Sequence, residues 1–301
     1  MSCEVEVCLG NKFCSFTGVF RMKNKVFQVL VLAIIAMSFS ATAFSQEEKS
    51  EPETVISSSS SNRTLNITRS GVYRLNDDIR VNNGDGIVIT ASNVTLNLNG
   101  YSVSTRAEGT GRGVAILGAT GVSVRNGKIG SFNANVMVSS ATNVVVENLQ
   151  ITGEGLAPVG GPTEIGILIV NGRAVAVNKN VISSVNLGIF VRGAGSTGNR
   201  IFENMIVGGA TPGNNLLGIC YNPASGGGPE GPRGDNIYNN VITRFGYAIA
   251  ISATSVHNIF NENNLASFIG GFREPGALVM GGGTNVSEGN LSVTLASTVL
   301  P

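Results

Sequence analysis

Residues 94–103 read VTLNLNGYSV: Val94, Leu96 and Leu98 alternate with polar residues, the run stops at Asn99-Gly100, and β-branched Val103 follows. Alternation over a few residues marks a strand with one face in a core, and Asn-Gly marks a turn. The pattern recurs in VSVRNGKI (122–129), VVVENLQI (144–151), VAVNKNVI (175–182), RIFENMI (200–206) and NIYNNVI (236–242). Aligned on the last apolar residue, the series runs Val103, Ile129, Ile151, Ile182, Ile206 and Ile242, with separations of 26, 22, 31, 24 and 36. A second series, usually preceded by a small residue, contains Val114, Val136, Ile167, Ile189, Ile219, Ile249 and Leu278. Two interleaved series with a shortest spacing of 22 residues predict a solenoid in which each repeat is one turn and neighbours stack as parallel strands. A meander of hairpins would not preserve that register.

The residue types agree with this geometry. Inward Val, Ile and Leu fill a narrow core, Gly supplies positive φ at tight corners, and Asn at a corner can bond the backbone of the next turn. Asn126, Asn148, Asn180, Asn204 and Asn240 are candidates for such a ladder, although the first two sit one residue off the Ile register of the others.

These repeats resemble the right-handed parallel β-helix of the pectate-lyase-like superfamily over roughly residues 85–285. The stretch 70–100, SGVYRLNDDIRVNNGDGIVITASNVTLNLNG, is similar to the opening segment of exported β-helix-repeat proteins, with Asn97 where an Asp is common. The resemblance implies an all-β, single-stranded right-handed parallel β-helix of about seven or eight coils, about 35 Å long at about 4.8 Å per rung. Residues 64–84 and 285–301 are expected to cap its ends, because open strand edges invite aggregation. Superfamily members include lyases, hydrolases, epimerases, adhesins and noncatalytic binding modules, so the fold does not choose among them.

The start of the chain reads as an export signal. Met22-Lys23-Asn24-Lys25 leads into VFQVLVLAIIAM and then SFSATAFSQ, a basic, an apolar and a small-residue region in signal-peptide order. Residues 1–45 are therefore expected to be removed, with Met22 as the true start; 46–63 form a charged, serine-rich disordered linker, and 64–301 form one β-helix domain. The apolar run is too short for a membrane span. Three of the four cysteines fall in the removed part, leaving Cys220 and no internal disulfide. A net charge of +1 without a basic stripe argues against nucleic acid.

Between the two series the connections alternate: 7, 16, 7, 13 and 7 residues. The long ones carry GEGLAPVGGPTE (153–164) and GGATPGNN (208–215), with a further candidate at 267–276, and PASGGGPEGPRGD (223–235) leaves the other end of a strand. Alternation places Met137, Leu168, Phe190, Cys220, Ala250 and Val279 on an apolar outer face, which must be covered or used. The favoured reading is that the Gly/Pro-rich loops cover it.

On the first series, Phe202, Tyr238 and Phe260 are expected to face outward on consecutive coils. Such rings either stack against sugar rings or stack on one another and stiffen the solenoid. With Arg200, Arg192 and Asn222 as hydrogen-bonding groups, they form the expected ligand-binding set. Catalysis has thinner support. The exported part has only four Asp residues, Asp77, Asp78, Asp85 and Asp235, and they make no cluster for acid and base work or for calcium. A lyase or epimerase needs less, and the weak candidates for one are His257, Tyr247, Arg244, Asp235, Arg233 and Tyr221. No cofactor and no metal is expected, since Cys220 and His257 lack ligand spacing. The sequence thus favours an exported, noncatalytic binder of polysaccharide or another surface component, with a polysaccharide lyase or epimerase, or a structural or adhesive module, as alternatives.

Overall fold

The computed structural model describes residues 52–57, 62–107, 110–153, 164–209, 217–222, 231–251, 254–273 and 285–294. Among them every regular element is a strand and every strand pairing is parallel. The chain is a parallel β-helix, and crossovers between parallel strands are right-handed as a rule. Three sheets run along it. The first contains Thr54–Ile56, Gly71–Leu75, Val94–Asn97, the first halves of Thr120–Gly130 and Thr142–Thr152, then Ala176–Asn178, Arg200–Phe202, Asn236–Tyr238, Ile259–Asn261 and Val286–Glu288. The second runs from Ile79–Val81 through Ser102–Thr105, Val181–Val185 and Met205–Gly208 to Leu291–Thr294. The third runs from Leu65–Ile67 through Arg112–Leu117, Ala134–Ser139, Ile165–Val170 and Leu187–Arg192 to Leu217–Asn222 and the ends of Val241–Ile251 and Asn264–Arg273.

Both sequence series lie in register. Val103 pairs with Ile129, and Ile151, Ile182, Ile206 and Ile242 follow. In the third sheet Val114, Val136, Ile167, Ile189, Ile219 and Ile249 pair in turn. These side chains are fully buried and fill one continuous core. The small residue before the second series has a steric cause: a Cβ on Gly188 would lie 2.3 Å from the Gly218 carbonyl oxygen.

Several expectations change. The first series is two sheets, divided by the Asn-rich corner. Ile249 pairs with Phe272, not Leu278, which lies outside the described residues, and the expected loop at 267–276 is strand as far as Arg273. The expected cap at 64–84 already forms rungs, as do 286–294, and Thr54–Ile56 in the expected linker pairs with Gly71–Leu75. Ten strands in the first sheet and nine in each of the others exceed seven or eight coils among the described residues. The leader, residues 1–45, lies outside them.

The corner between the first and second sheets explains the one-residue offset of its asparagines. Asn126, Asn148, Lys179, Glu203, Asn239 and Glu262 hold left-handed φ between 52° and 61° at one position of successive coils. The next residue points inward. In the upper coils this place holds Gly127, against which Leu98 packs, and Leu149; from Asn180 on it holds Asn204, Asn240, Asn263 and Asn290. Asn204, Asn240, Asn263 and Asn290 each accept from the Asn above, Asn180 accepts from the Leu149 N–H, and all five donate to a backbone carbonyl. Asn204 Oδ1 accepts from Asn180 N–H at 3.1 Å and Nδ2 at 3.0 Å, while its own Nδ2 donates to Val177 O at 2.9 Å and Asn240 Oδ1 at 2.9 Å. The ladder is therefore Asn180, Asn204, Asn240, Asn263 and Asn290, without Asn126 and Asn148. Asn204→Ala strands several buried groups and should lower unfolding stability by roughly 2–4 kcal/mol. Asn126→Gly, at an exposed left-handed position, should change it by less than about 1 kcal/mol. Equal midpoint shifts in urea would remove the distinction between the two columns.

Candidate functional site

The outer face of the first sheet has two columns of side chains. One carries Thr95, Ser123, Val145, Ala176, Arg200, Asn236 and Ile259; the other carries Asn97, Arg125, Glu147, Asn178, Phe202, Tyr238 and Asn261. Register places like positions about 4.8 Å apart. Phe202 and Tyr238 stack with ring centroids 5.0 Å apart and planes 2° from parallel, and the Arg200 guanidinium lies over Phe202 at 5.9 Å. Asn178 occupies the rung above the pair and Asn261 the rung below. The two rings cover each other's faces, so they offer outward mainly their edges and the Tyr238 hydroxyl. Asn236 Oδ1, Asn261 Oδ1 and Arg125 Nε are buried without a hydrogen-bond partner.

Phe260 does not extend this stack. It pairs with Ile237, is fully buried, and meets Tyr221 edge-on at 5.8 Å. The sequence reading aligned NIF (258–260) with NIY (236–238), one residue out of register. Counting back from the ladder, with Asn263 beneath Asn240, places Phe260 beneath Ile237 and brings Asn261 under Tyr238. That count is the signal that would have found Asn261.

The six catalytic candidates do not converge. Arg244 holds a left-handed φ of 63° at the corner leading into the third sheet, and Tyr247 begins the strand that follows. His257, at φ 57°, is exposed at the opposite corner, leading back to the first sheet. Arg233, exposed, bridges to Thr197 and Val256 near that corner. Tyr221 and Asp235 are core groups, each 1% exposed.

Asp235 interrupts a second polar ladder, formed by Asn199, Asp235, Asn258 and Asn285. Asn199 donates to it through N–H at 2.8 Å and Nδ2 at 3.0 Å, and the Tyr221 hydroxyl donates at 3.1 Å. Burial pushes its pKa from 3.8 up to about 6, against these hydrogen bonds, which pull it down. Burial raises Tyr221 as well, and the neighbouring carboxylate adds to that.

The apolar outer face expected on the third sheet is present in register: Met137, Leu168, Phe190, Cys220 and Ala250 pair in turn. It is largely withdrawn from water, with Leu168 and Cys220 at 7% exposure and Ala250 at 8%. Burial raises the Cys220 thiol to about 12, which leaves it unreactive at neutral pH. Arg192 lies 5.8 Å over Phe190 at the end of this sheet and pairs with Asn222, both on a different side of the coil from Phe202 and Tyr238. Of the insertions expected to cover the face, 153–164, 208–215 and 223–235, residues 154–163, 210–215 and 223–230 lie outside the described residues, as does Val279.

No family model and no curated protein matches the chain. Among solved structures, an alginate lyase from Paenibacillus sp. is similar at 13% identity and a TM-score of 0.49, over 76% of this chain and 94% of the lyase. A mutant tailspike protein of E. coli bacteriophage HK620 is similar at 12% identity and a TM-score of 0.42, and the tailspike in complex with a pentasaccharide at 14% and 0.42. The matches span 87% and 89% of this chain but only 52% and 53% of the tailspike chains.

Asp235 makes stability depend on pH with a defined sign. The folded chain keeps this proton to about pH 6, whereas a carboxyl in the unfolded chain releases it near 3.8. The folded state binds more protons within that window, so this group's contribution is full below pH 3.8 and is lost as pH rises through 6, by roughly 3 kcal/mol. Asp235→Asn should remove that component and stabilise the chain at pH 7, seen as a higher urea midpoint. A variant less stable than the parent at pH 7 would contradict the assignment.

Proposed function

We propose that the protein is an exported solenoid that binds a polysaccharide or another hydroxyl-rich surface polymer along its first sheet without changing it chemically. The carrying observation is the pair of buried, unpartnered acceptors, Asn236 Oδ1 and Asn261 Oδ1, on the same outer face as the Tyr238 ring. A buried acceptor without a donor costs about 1–3 kcal/mol. Sugar hydroxyls are donors of the right size, and Arg200 and the Tyr238 hydroxyl lie on the same face. A polymer suits this surface because side-chain positions recur along the axis about every 4.8 Å, although the residues that fill them differ. Ring edges and amides, rather than open ring faces, make the contact.

The noncatalytic part of the proposal is supported by the scatter of the catalytic candidates. Asp235 and Tyr221 are sealed in the core, while His257 and Arg244 occupy different corners. Arg233 and His257 share a corner, but Asp235 and Tyr221 are in the core and Arg244 and Tyr247 lie by another corner, so no carboxylate or tyrosine of the set joins them there.

The full chain should be retained on a glycan array, and the Asn236→Ala, Asn261→Ala double variant should lose roughly thirty-fold in affinity for the retained glycan, at about 1 kcal/mol for each of the two hydrogen bonds. Uronate polymers incubated with the parent chain should yield no ultraviolet-absorbing unsaturated product. Unchanged affinity in the double variant would remove the first sheet as the site. Unsaturated product would replace binding with lyase chemistry.

A further inference from the structure

The second sheet has a recess on its outer face where three coils meet. Ser102, Lys128 and Gln150 form one register column, and Ser104, Gly130 and Thr152 form the next. Both columns point outward, because Val103, Ile129 and Ile151 between them are buried. At Gly130 the outer column lacks a side chain, so the surface dips between Ser104 and Thr152 while Lys128 and Gln150 stand beside the dip. The resulting groove measures about 250 Å³. Sites for drug-sized ligands begin at about 300 Å³, so this one has the scale of a single sugar unit.

Its chemistry is one-sided. Among the described residues Lys128 is the one charged side chain lining it, and the other polar groups are hydroxyls and one carboxamide, which both donate and accept. At the upper rim, Asp78 Oδ1 accepts from the Ser102 N–H at 2.7 Å, so that oxygen is already engaged by the backbone. The apolar residues of the lining, Val103 and Ile129, turn their side chains into the core, so the groove offers little to an apolar ligand. A cation flanked by hydroxyls and an amide, on a floor of sheet backbone, matches a ring that carries one carboxylate and several hydroxyls.

We propose that this groove binds one acidic sugar unit, with its carboxylate on Lys128 Nζ and its ring hydroxyls on Ser102, Ser104, Gln150 and Thr152. The site lies on a different sheet from the Phe202–Tyr238 face and stands without it.

The test is titration of the full chain with glucuronate and, separately, with glucose, followed by calorimetry or by the amide resonances of residues 102–104, 128–130 and 150–152. Glucuronate should bind and shift those resonances, with glucose at least about ten-fold weaker, because a hydrogen bond to a charged group contributes more than a neutral one. Lys128→Gln, at an exposed position, should weaken glucuronate binding about ten-fold or more. Lys128→Arg should keep it, and so should Lys179→Gln, which alters an exposed lysine elsewhere. Acetate, tested alone, should bind at least about ten-fold more weakly than glucuronate. No glucuronate binding, equal binding of glucose, equal binding of acetate, or full binding by Lys128→Gln would each overturn the proposal. Asn236→Ala should leave this titration unchanged even if it abolishes retention on the glycan array, so the two sites can fail separately.

Discussion

In-register stacking is the constraint on which the rest of this molecule depends. Within the paired strands of the inner coils, a residue has, about 4.8 Å above and below, the residue at the same position in the neighbouring coil. A side chain is therefore acceptable only if it tolerates its column. Isoleucine and valine do so in the core, and asparagine does so at the inner corner, because its amide accepts from one coil and donates to another. Once such a column starts it tends to continue. The inner corner column changes from apolar to amide between Leu149 and Asn180, and there Asn180 Oδ1 accepts the Leu149 N–H at 3.0 Å.

Asp235 shows what happens when a column receives a group that does not fit it. Asparagine would donate from Nδ2, and an ionised aspartate donates nothing. Asn199 meets both carboxylate oxygens as a donor, and Tyr221 turns its hydroxyl from the core wall towards Oδ2. Three hydrogen bonds offset part of the cost of burying the charge, yet the carboxyl still holds its proton more tightly than it would in water. The arrangement looks catalytic in a sequence, since tyrosine and aspartate lie near the only histidine. In the folded chain it is a repair within a structural ladder, and His257 is a corner residue facing away from it.

The sequence carried the fold well because period and register are properties of apolar residues, and those residues point to a single core. Both Ile-rich series are legible in the sequence for this reason. Outward positions were less legible. A slip of one residue exchanges inside for outside, and Phe260 was misplaced by such a slip, since RIF, NIY and NIF read alike. The third sheet's neighbour of Ile249 was missed because Phe272 lies in a stretch rich in Gly that reads as a loop. The recess over Gly130 was invisible for another reason: it depends on which side chains of three coils, separated by more than twenty residues each, stand next to one another.

Stacking also bears on how such a surface recognises anything. Planar side chains in one column lie face to face along the axis, as Phe202 and Tyr238 do, and spend their faces on each other. An aromatic ladder on a solenoid is thus a poor platform for a sugar ring lying flat, although its composition looks well suited to one. What the column leaves for a ligand is its edge: hydroxyl, amide oxygen and guanidinium, repeated at the spacing of the coils. Selectivity must then come from breaks in the repeat, where a neighbour is missing or differs in charge. Asn261 below Tyr238 and Gly130 between Ser104 and Thr152 are such breaks, one supplying an unmatched acceptor and the other a recess beside a cation. A perfectly regular solenoid would offer the same surface at every coil and could not fix the register of a bound chain.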